Sequence, residues 1–238
     1  MVFDFNAFLI STGVVVLAEM GDKTQLLAMA FATKFPAWKV MVGVFIATVL
    51  NHALAVALGS YITQFGGLSN WISAAAYLSF IFFGLWTIRG DNLDGEENRK
   101  THYGVIITVA IAFFIAELGD KTQLATIALA AQYPQSSIQV LMGTTTGMLI
   151  ADAFGIIIGV VLHKKVPDRL VKFVSAAAFI LFGFIGGYNV LSEKFYLSAF
   201  STVTILVVIA VITGILAWKL VYNEIEHDIS FSTIIKSS

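Results

Sequence analysis

Glu19 and Asp22 stand three residues apart, and Glu117 and Asp120 repeat that spacing 98 positions later, each pair followed at once by a lysine, Lys23 or Lys121. The whole repeat is Ala18-Glu19-Met20-Gly21-Asp22-Lys23-Thr24-Gln25-Leu26 against Ala116-Glu117-Leu118-Gly119-Asp120-Lys121-Thr122-Gln123-Leu124, with one difference in nine positions. Paired carboxylates of this kind bind hard cations or exchange protons. On a continuous helix, residues three apart project from one face about one turn apart. Gly21 and Gly119 equally permit a break there, which would free backbone carbonyls as further oxygen ligands. Either geometry clusters two carboxylates per copy. Gln25 and Gln123 could add amide oxygens, and Thr24 and Thr122 hydroxyls in support, although a helical threonine commonly bonds back to its own backbone. The lysines could pair with a carboxylate when no cation is bound, or could form structural ion pairs between parts of the molecule.

Both copies lie inside strongly apolar runs. Of 238 residues 58% are hydrophobic and only 12% charged, which excludes a soluble domain and gives a polytopic membrane protein. Charged side chains at membrane depth are costly, so placing Glu, Asp and Lys there twice marks a functional site. The chain contains no cysteine. With no thiolate anywhere and no histidine in either motif, the oxygen ligands suit Ca²⁺, Mn²⁺ or Mg²⁺ better than Zn²⁺ or copper, without choosing among the three.

The expected elements follow from runs of the length that crosses a bilayer, broken by turn residues. They are about 7–32, 38–63, 70–89, 103–131, 137–162, 169–190 and 197–221, all helical. The N-terminal segment carries Asp4 and no base before its first run, so it reads as a retained helix rather than a cleaved signal. Likeness between the halves extends past the motifs: Pro36 matches Pro134, Gly59 matches Gly159, and Ser73-Ala74-Ala75-Ala76 resembles Ser175-Ala176-Ala177-Ala178. The expected organisation is a three-helix repeat over 1–90, a linker over 91–102, a second three-helix repeat over 103–190, and an extra helix with a tail over 191–238. Three spans is an odd number, so the second copy enters the membrane from the opposite side and the repeat is inverted, as in many secondary transporters.

Basic residues test that topology. Eleven of the fourteen Lys and Arg fall on one side, Lys194 alone on the other, and the remaining two are in the motifs. This places the N-terminus outside and the C-terminus in the cytoplasm. If the inverted copies face each other at the midplane, four carboxylates and two ammonium groups leave a formal charge of −2, which one divalent cation neutralises. An empty site should take up protons instead, the carboxylates titrating as a coupled set. Competition of metal and protons for one set of groups is the essence of an antiporter.

Asn51, His52 and Asp152 are further intramembrane polar residues, with Asp152 at an offset of 100 from His52. Asp152 reads as a proton-pathway or supporting residue. His52 could relay protons or be a hydrogen-bonded interior histidine, and Asn51 could bond across helices. The acidic stretch Asp91, Asp94, Glu96, Glu97 lacks the spacing of a calcium loop and reads as a solvated linker, while Gly-Asp-Lys-Thr lacks the glycine and Gly-Lys pattern of a phosphate loop. No basic stripe supports a nucleic-acid partner.

The doubled Glu-x-Gly-Asp-Lys-Thr, over about residues 7–190, resembles the Gdt-one-type cation/proton antiporters, a family of bacterial manganese exporters and Golgi proteins of calcium and manganese homeostasis. The resemblance implies export of Mn²⁺, and of Ca²⁺ in some members, from the cytosol in exchange for protons. It points to Glu19, Asp22, Lys23 and Thr24 and to Glu117, Asp120, Lys121 and Thr122, with Asn51, His52 and Asp152 as further family positions. A seventh span departs from the usual bacterial six, and the chain lacks the long N-terminal extension and acidic central loop of eukaryotic relatives, which implies a compact bacterial member in the inner membrane. No cofactor is expected beyond the transported cation and counter-transported protons. A passive cation channel and an intramembrane enzyme using paired carboxylates are the competing readings. Lysines in the site and the inverted repeat argue against the first, and the symmetry, which an enzyme's acids do not need, against the second.

Overall fold

The structure, a computed structural model, describes residues 3–20, 22–64, 69–89, 104–157 and 168–237, with side chains at 69, 168–172 and 223–237 left aside. The described residues are all helical apart from short connections. The helices are α1 (Phe5–Glu19), α2 (Lys23–Lys34), α3 (Ala37–Ile62), α4 (Ser69–Arg89), α5 (Val105–Glu117), α6 (Lys121–Gln132), α7 (Ser137–Ile156), α8 (Asp168–Asn189) and α9 (Ala199–Ser237). A 3₁₀ turn at Pro134–Ser136 leads into α7, and a π-helical turn at Val190–Lys194 closes α8.

The termini of these helices follow from local chemistry. Asp4 caps α1 by accepting from the Ala7 amide at 3.0 Å, and its other oxygen accepts from Ser136 Oγ at 2.7 Å, tying the chain start to the turn before α7. Pro36 sits at the cap of α3 and Pro134 at the start of the 3₁₀ turn, positions where the missing N–H costs nothing. In the second motif Gly119 adopts φ 77°, a left-handed conformation that ends α5 and lets α6 start afresh at Lys121. The two expected spans 7–32 and 103–131, whose motifs left a break open, are each two helices separated at the motif. α1 and α2 meet at 73°.

Among the described residues four helices are long and apolar enough to cross a membrane, Ala37–Ile62, Asn70–Arg89, Phe173–Lys194 and Ala199–Tyr222, with the bent pair α1–α2 as a fifth. Of the seven expected spans, 103–131 and 137–162 do not meet that measure among the described residues. The first is cut at Gly119 into the short apolar α5 and the more polar α6; the second carries Gln139 and Thr144-Thr145-Thr146, and its end lies outside the described residues. The expected linker 91–102, the Gly21 break and the match at Gly159 also lie outside them.

The outward surface is apolar, with Trp38, Leu54, Leu78, Phe82 and Leu181 exposed, as lipid contact requires. The interior is held by close approach. α1 packs on α7, α5 on α3, and α4 on α8. A Cβ added at Gly43 would lie 2.8 Å from the Ile106 carbonyl oxygen and 2.7 Å from Val109 Cβ; one at Gly143 would lie 2.5 Å from the Phe8 carbonyl oxygen and 2.9 Å from Ser11 Cβ. Phe8 and Ser11 precede Ile106 and Val109 by 98 positions each, and Gly43 precedes Gly143 by 100. The α4–α8 contact is reciprocal as well. Gly84 faces Ala176 and Ile180, and Gly183 faces Tyr77 and Ile81, every pair at an offset of 99. Around that contact Phe80 stacks on Phe179 at 6.1 Å and meets Phe182 edge-on at 4.9 Å.

Candidate cation site

The motifs place their carboxylates at helix ends. Glu19 and Glu117 are the last residues of α1 and α5, and Asp22 and Asp120 stand at the N-caps of α2 and α6. Helix N-termini attract negative charge, so the two aspartates sit where the backbone favours them. All four are at most 3% exposed.

The copies interlock across 98 residues of sequence. Lys121 Nζ donates to Asp22 Oδ1 at 2.7 Å, a buried ion pair between the second motif and the first. The hydroxyls of Thr122 and Thr24 donate to the two oxygens of Glu19, that of Thr24 at 2.5 Å. Neither threonine bonds back to its own helix backbone. The glutamines follow a mirrored pattern: Gln25 Nε2 donates to the Ala151 carbonyl at 2.8 Å, and Gln123 Nε2 to Asn51 Oδ1 at 3.3 Å, with Ala151 and Asn51 100 positions apart. Gln123 Oε1 also accepts from the Gly119 amide at 2.7 Å, which fastens the break in the second motif, and Asn51 Nδ2 donates to the Phe114 carbonyl at 3.1 Å. Gly155 opens the slot for Gln25: a Cβ there would fall 2.4 Å from Gln25 Cγ.

The interlock is asymmetric. Glu19 receives two hydroxyls, whereas both carboxylate oxygens of Glu117 are buried without a hydrogen-bond partner, as is Oδ2 of Asp120. Asp152 and His52, both fully buried, also have no hydrogen-bond partner among the described residues on either oxygen or either ring nitrogen. A buried carboxylate without donors is stable only with a proton or a cation. Among the described residues no three of His, Asp and Glu gather closely enough to hold a metal ion as they stand. What gathers instead is a carboxylate set in which Lys121 occupies Asp22.

Ala151 was invisible to a search for reactive side chains, because its carbonyl is what contributes. The offset of 100 that aligns it with Asn51 was the signal. Lys23 is half-buried at the start of α2.

Comparison with known proteins bears on this geometry. The family model described as "Divalent cation/proton antiporter GDT1" matches residues 7–95 and 105–194, that is, both copies of the motif and the helices around them. A Vibrio cholerae protein named "Putative manganese exporter" is 40% identical over 175 residues, covering 72% of this chain and 86% of its own. A GDT1-like protein of Synechocystis is 27% identical, covering 77% of this chain and 98% of its own. GDT1-like protein 4 of Oryza sativa subsp. indica is likewise 27% identical, over 81% of this chain and 74% of its own. No solved structure matches.

Proposed function

Because the chain belongs to the GDT1 family of divalent cation/proton antiporters, we propose that it exports Mn²⁺, with Ca²⁺ as a second substrate, from the cytosol in exchange for protons. It is an integral membrane transport protein and not an enzyme. The observation that carries the finer reading is the burial of two near-identical acidic motifs in mutual contact, Lys121 on Asp22 and Thr122 on Glu19, beside the unpartnered Glu117.

In this reading residues 1–90 and 103–190 are inverted halves related by a two-fold axis, supported by the reciprocal contacts of Gly43 with Gly143 and of Gly84 with Gly183. Residues 91–102 link them, and 191–238 form an appended helix and tail. The N-terminus lies outside and the C-terminus in the cytoplasm of a bacterial inner membrane. Glu19, Asp22, Glu117 and Asp120 bind the cation, with Gln25 and Gln123 as amide ligands. The Lys121 ammonium stands in for it on Asp22, and the cation displaces the lysine on entry. Thr24 and Thr122 orient Glu19, Asn51 orients Gln123, and Lys23 is the counterpart of Lys121. Protons replace the cation on the carboxylates when it leaves, with Asp152 and His52 on their route. Alternating access exchanges the asymmetric contacts for their mirror images: Thr24 turns to Glu117 and Lys23 to Asp120.

The test is flux in proteoliposomes with an imposed pH gradient. Mn²⁺ should move against its own gradient, driven by protons moving the other way. Movement of Mn²⁺ and Ca²⁺ insensitive to the pH gradient would make the protein a passive channel and sink the proposal.

A further inference from the structure

α9 is held loosely. Only 11% of the span Ala199–Tyr222 is buried, against half of the span Asn70–Arg89 on which it rests. The two run in parallel: near their starts Trp71 shares a cavity with Leu197 and Ile205, and near their ends Arg89 shares one with Lys219. There the helices part around a groove of about 580 Å³ walled by Phe82, Trp86, Leu216 and Leu220. That volume is within the roughly 300–1,000 Å³ of ligand sites. Arg89 ends its span and Lys219 lies three residues before the end of the other, so both cations stand at the same end of the two candidate spans, beside the apolar wall. Both side chains are exposed, and neither makes a hydrogen bond or an ion pair among the described residues.

We propose that the groove between the end of α4 and the middle of α9, where its apolar span ends, binds an anionic phospholipid, its phosphate on Arg89 and Lys219 and an acyl chain along Phe82, Trp86, Leu216 and Leu220, so that the lipid fastens α9 to the rest of the protein. The charge pattern selects the occupant. A guanidinium forks onto phosphate oxygens and an ammonium adds a second point charge, while a basic pocket between membrane helices is the form that anionic headgroups recognise. A zwitterionic headgroup offers the same phosphate but brings its own cation against the pair. Trp86 stands three residues before the end of its candidate span, and tryptophan is favoured near span ends.

The experiment uses the full-length protein, delipidated in a neutral detergent. Phosphatidylglycerol and phosphatidylcholine of the same chain length are titrated separately, with bound lipid read by native mass spectrometry and stability by thermal melting. Wild type should retain phosphatidylglycerol at least tenfold more tightly than phosphatidylcholine and melt higher with it. Arg89→Gln with Lys219→Gln should lose that preference while keeping the phosphatidylcholine affinity, which reports an intact fold; each single variant should lose part of it. Lys39→Gln, a basic residue on α3, should change nothing. Glycerol phosphate at equal concentration should give no shift. Equal retention of the two lipids by wild type overturns the proposal. An undiminished preference in the double variant, or a glycerol phosphate shift equal to that of the lipid, overturns it too.

Discussion

At the scale of residues, Glu19 and Glu117 are nearly identical in sequence context and opposite in surroundings, and that difference separates stability from transport. Glu19 accepts from Thr24 and Thr122, so Glu19→Gln turns an amide N–H toward hydroxyl donors and leaves one without an acceptor, costing about 1–3 kcal/mol. Glu117 has no donors to lose. Glu117→Gln should therefore melt at or above the wild-type temperature, Glu19→Gln below it, and both should lower Mn²⁺/proton exchange by at least a hundredfold. Wild-type flux in Glu117→Gln would remove that residue from the proposed site. Lys121→Met strips the ammonium from Asp22 Oδ1 inside the protein and should destabilise by roughly 3–5 kcal/mol. Adding Asp22→Asn should restore the melting temperature but not transport, because the pair's charge is removed together with the proposed ligand. The types and spacing of these residues were legible in the sequence. The asymmetry was not, since two nearly identical nonapeptides carry no information about which one holds its glutamate by hydroxyls.

At the scale of elements, the positions of apolar runs followed from composition: α3, α4 and α8 fall within a few residues of the spans expected, while α9 begins where expected but runs on to Ser237, 16 residues past the expected end at 221. The breaks at the motifs were open, because a glycine between two acids is compatible with a continuous helix as well as with a turn; Gly119 at φ 77° decides it in the second copy. Which helices touch was not legible at all, since helices apolar on every side give no stripe to orient them. Contact is decided by small residues, and that can be tested. Gly143→Val would push its side chain into the Phe8 carbonyl, a backbone atom that cannot turn away, prying the first turn of α1, the helix that ends in Glu19, from α7. It should cost about 1–3 kcal/mol by overpacking and impair transport. Gly13→Ala on α1 meets nothing within 4 Å and should leave both unchanged. A second element-level device is the tie of Asp4 to α7. The Ser136 hydroxyl, with the Ala7 amide, holds the Asp4 carboxyl below its ordinary value. A lowered value means the tie stabilises above the unfolded-state pKa, near 4, and is lost as pH falls through the folded one. Thermal melting from pH 7 to pH 3 should show a wild-type decline partly absent in Asp4→Asn, which lacks the titrating group.

At the scale of the molecule, the proposed exchange of mirrored contacts extends beyond the site. α4 packs on α6, but among the described residues their counterparts α8 and α2 have no comparable packing, although α4 and α8 grip each other reciprocally. The α4–α8 pair thus leans toward α6 and away from α2. Alternating access around a two-fold axis requires the opposite lean in the other state, with α8 on α2 and α4 released from α6. Ala76 of α4 and Ala128 of α6 line one groove and belong to one apolar cluster, and the chain has no cysteine to interfere. Cysteines at those two positions, joined by a short bifunctional thiosulfonate, should hold the present state: Mn²⁺ binding persists, turnover stops, and reduction restores it. Their counterparts, at offsets of 98 and 99, are Ala30 of α2 and Ser175 of α8. Cysteines there should react with the same reagent slowly at rest and several times faster under a pH gradient that drives turnover. Full exchange by protein joined between positions 76 and 128 would mean that the pair does not rock, and the site would then have to reach the two sides of the membrane by movement of α2 and α6 alone.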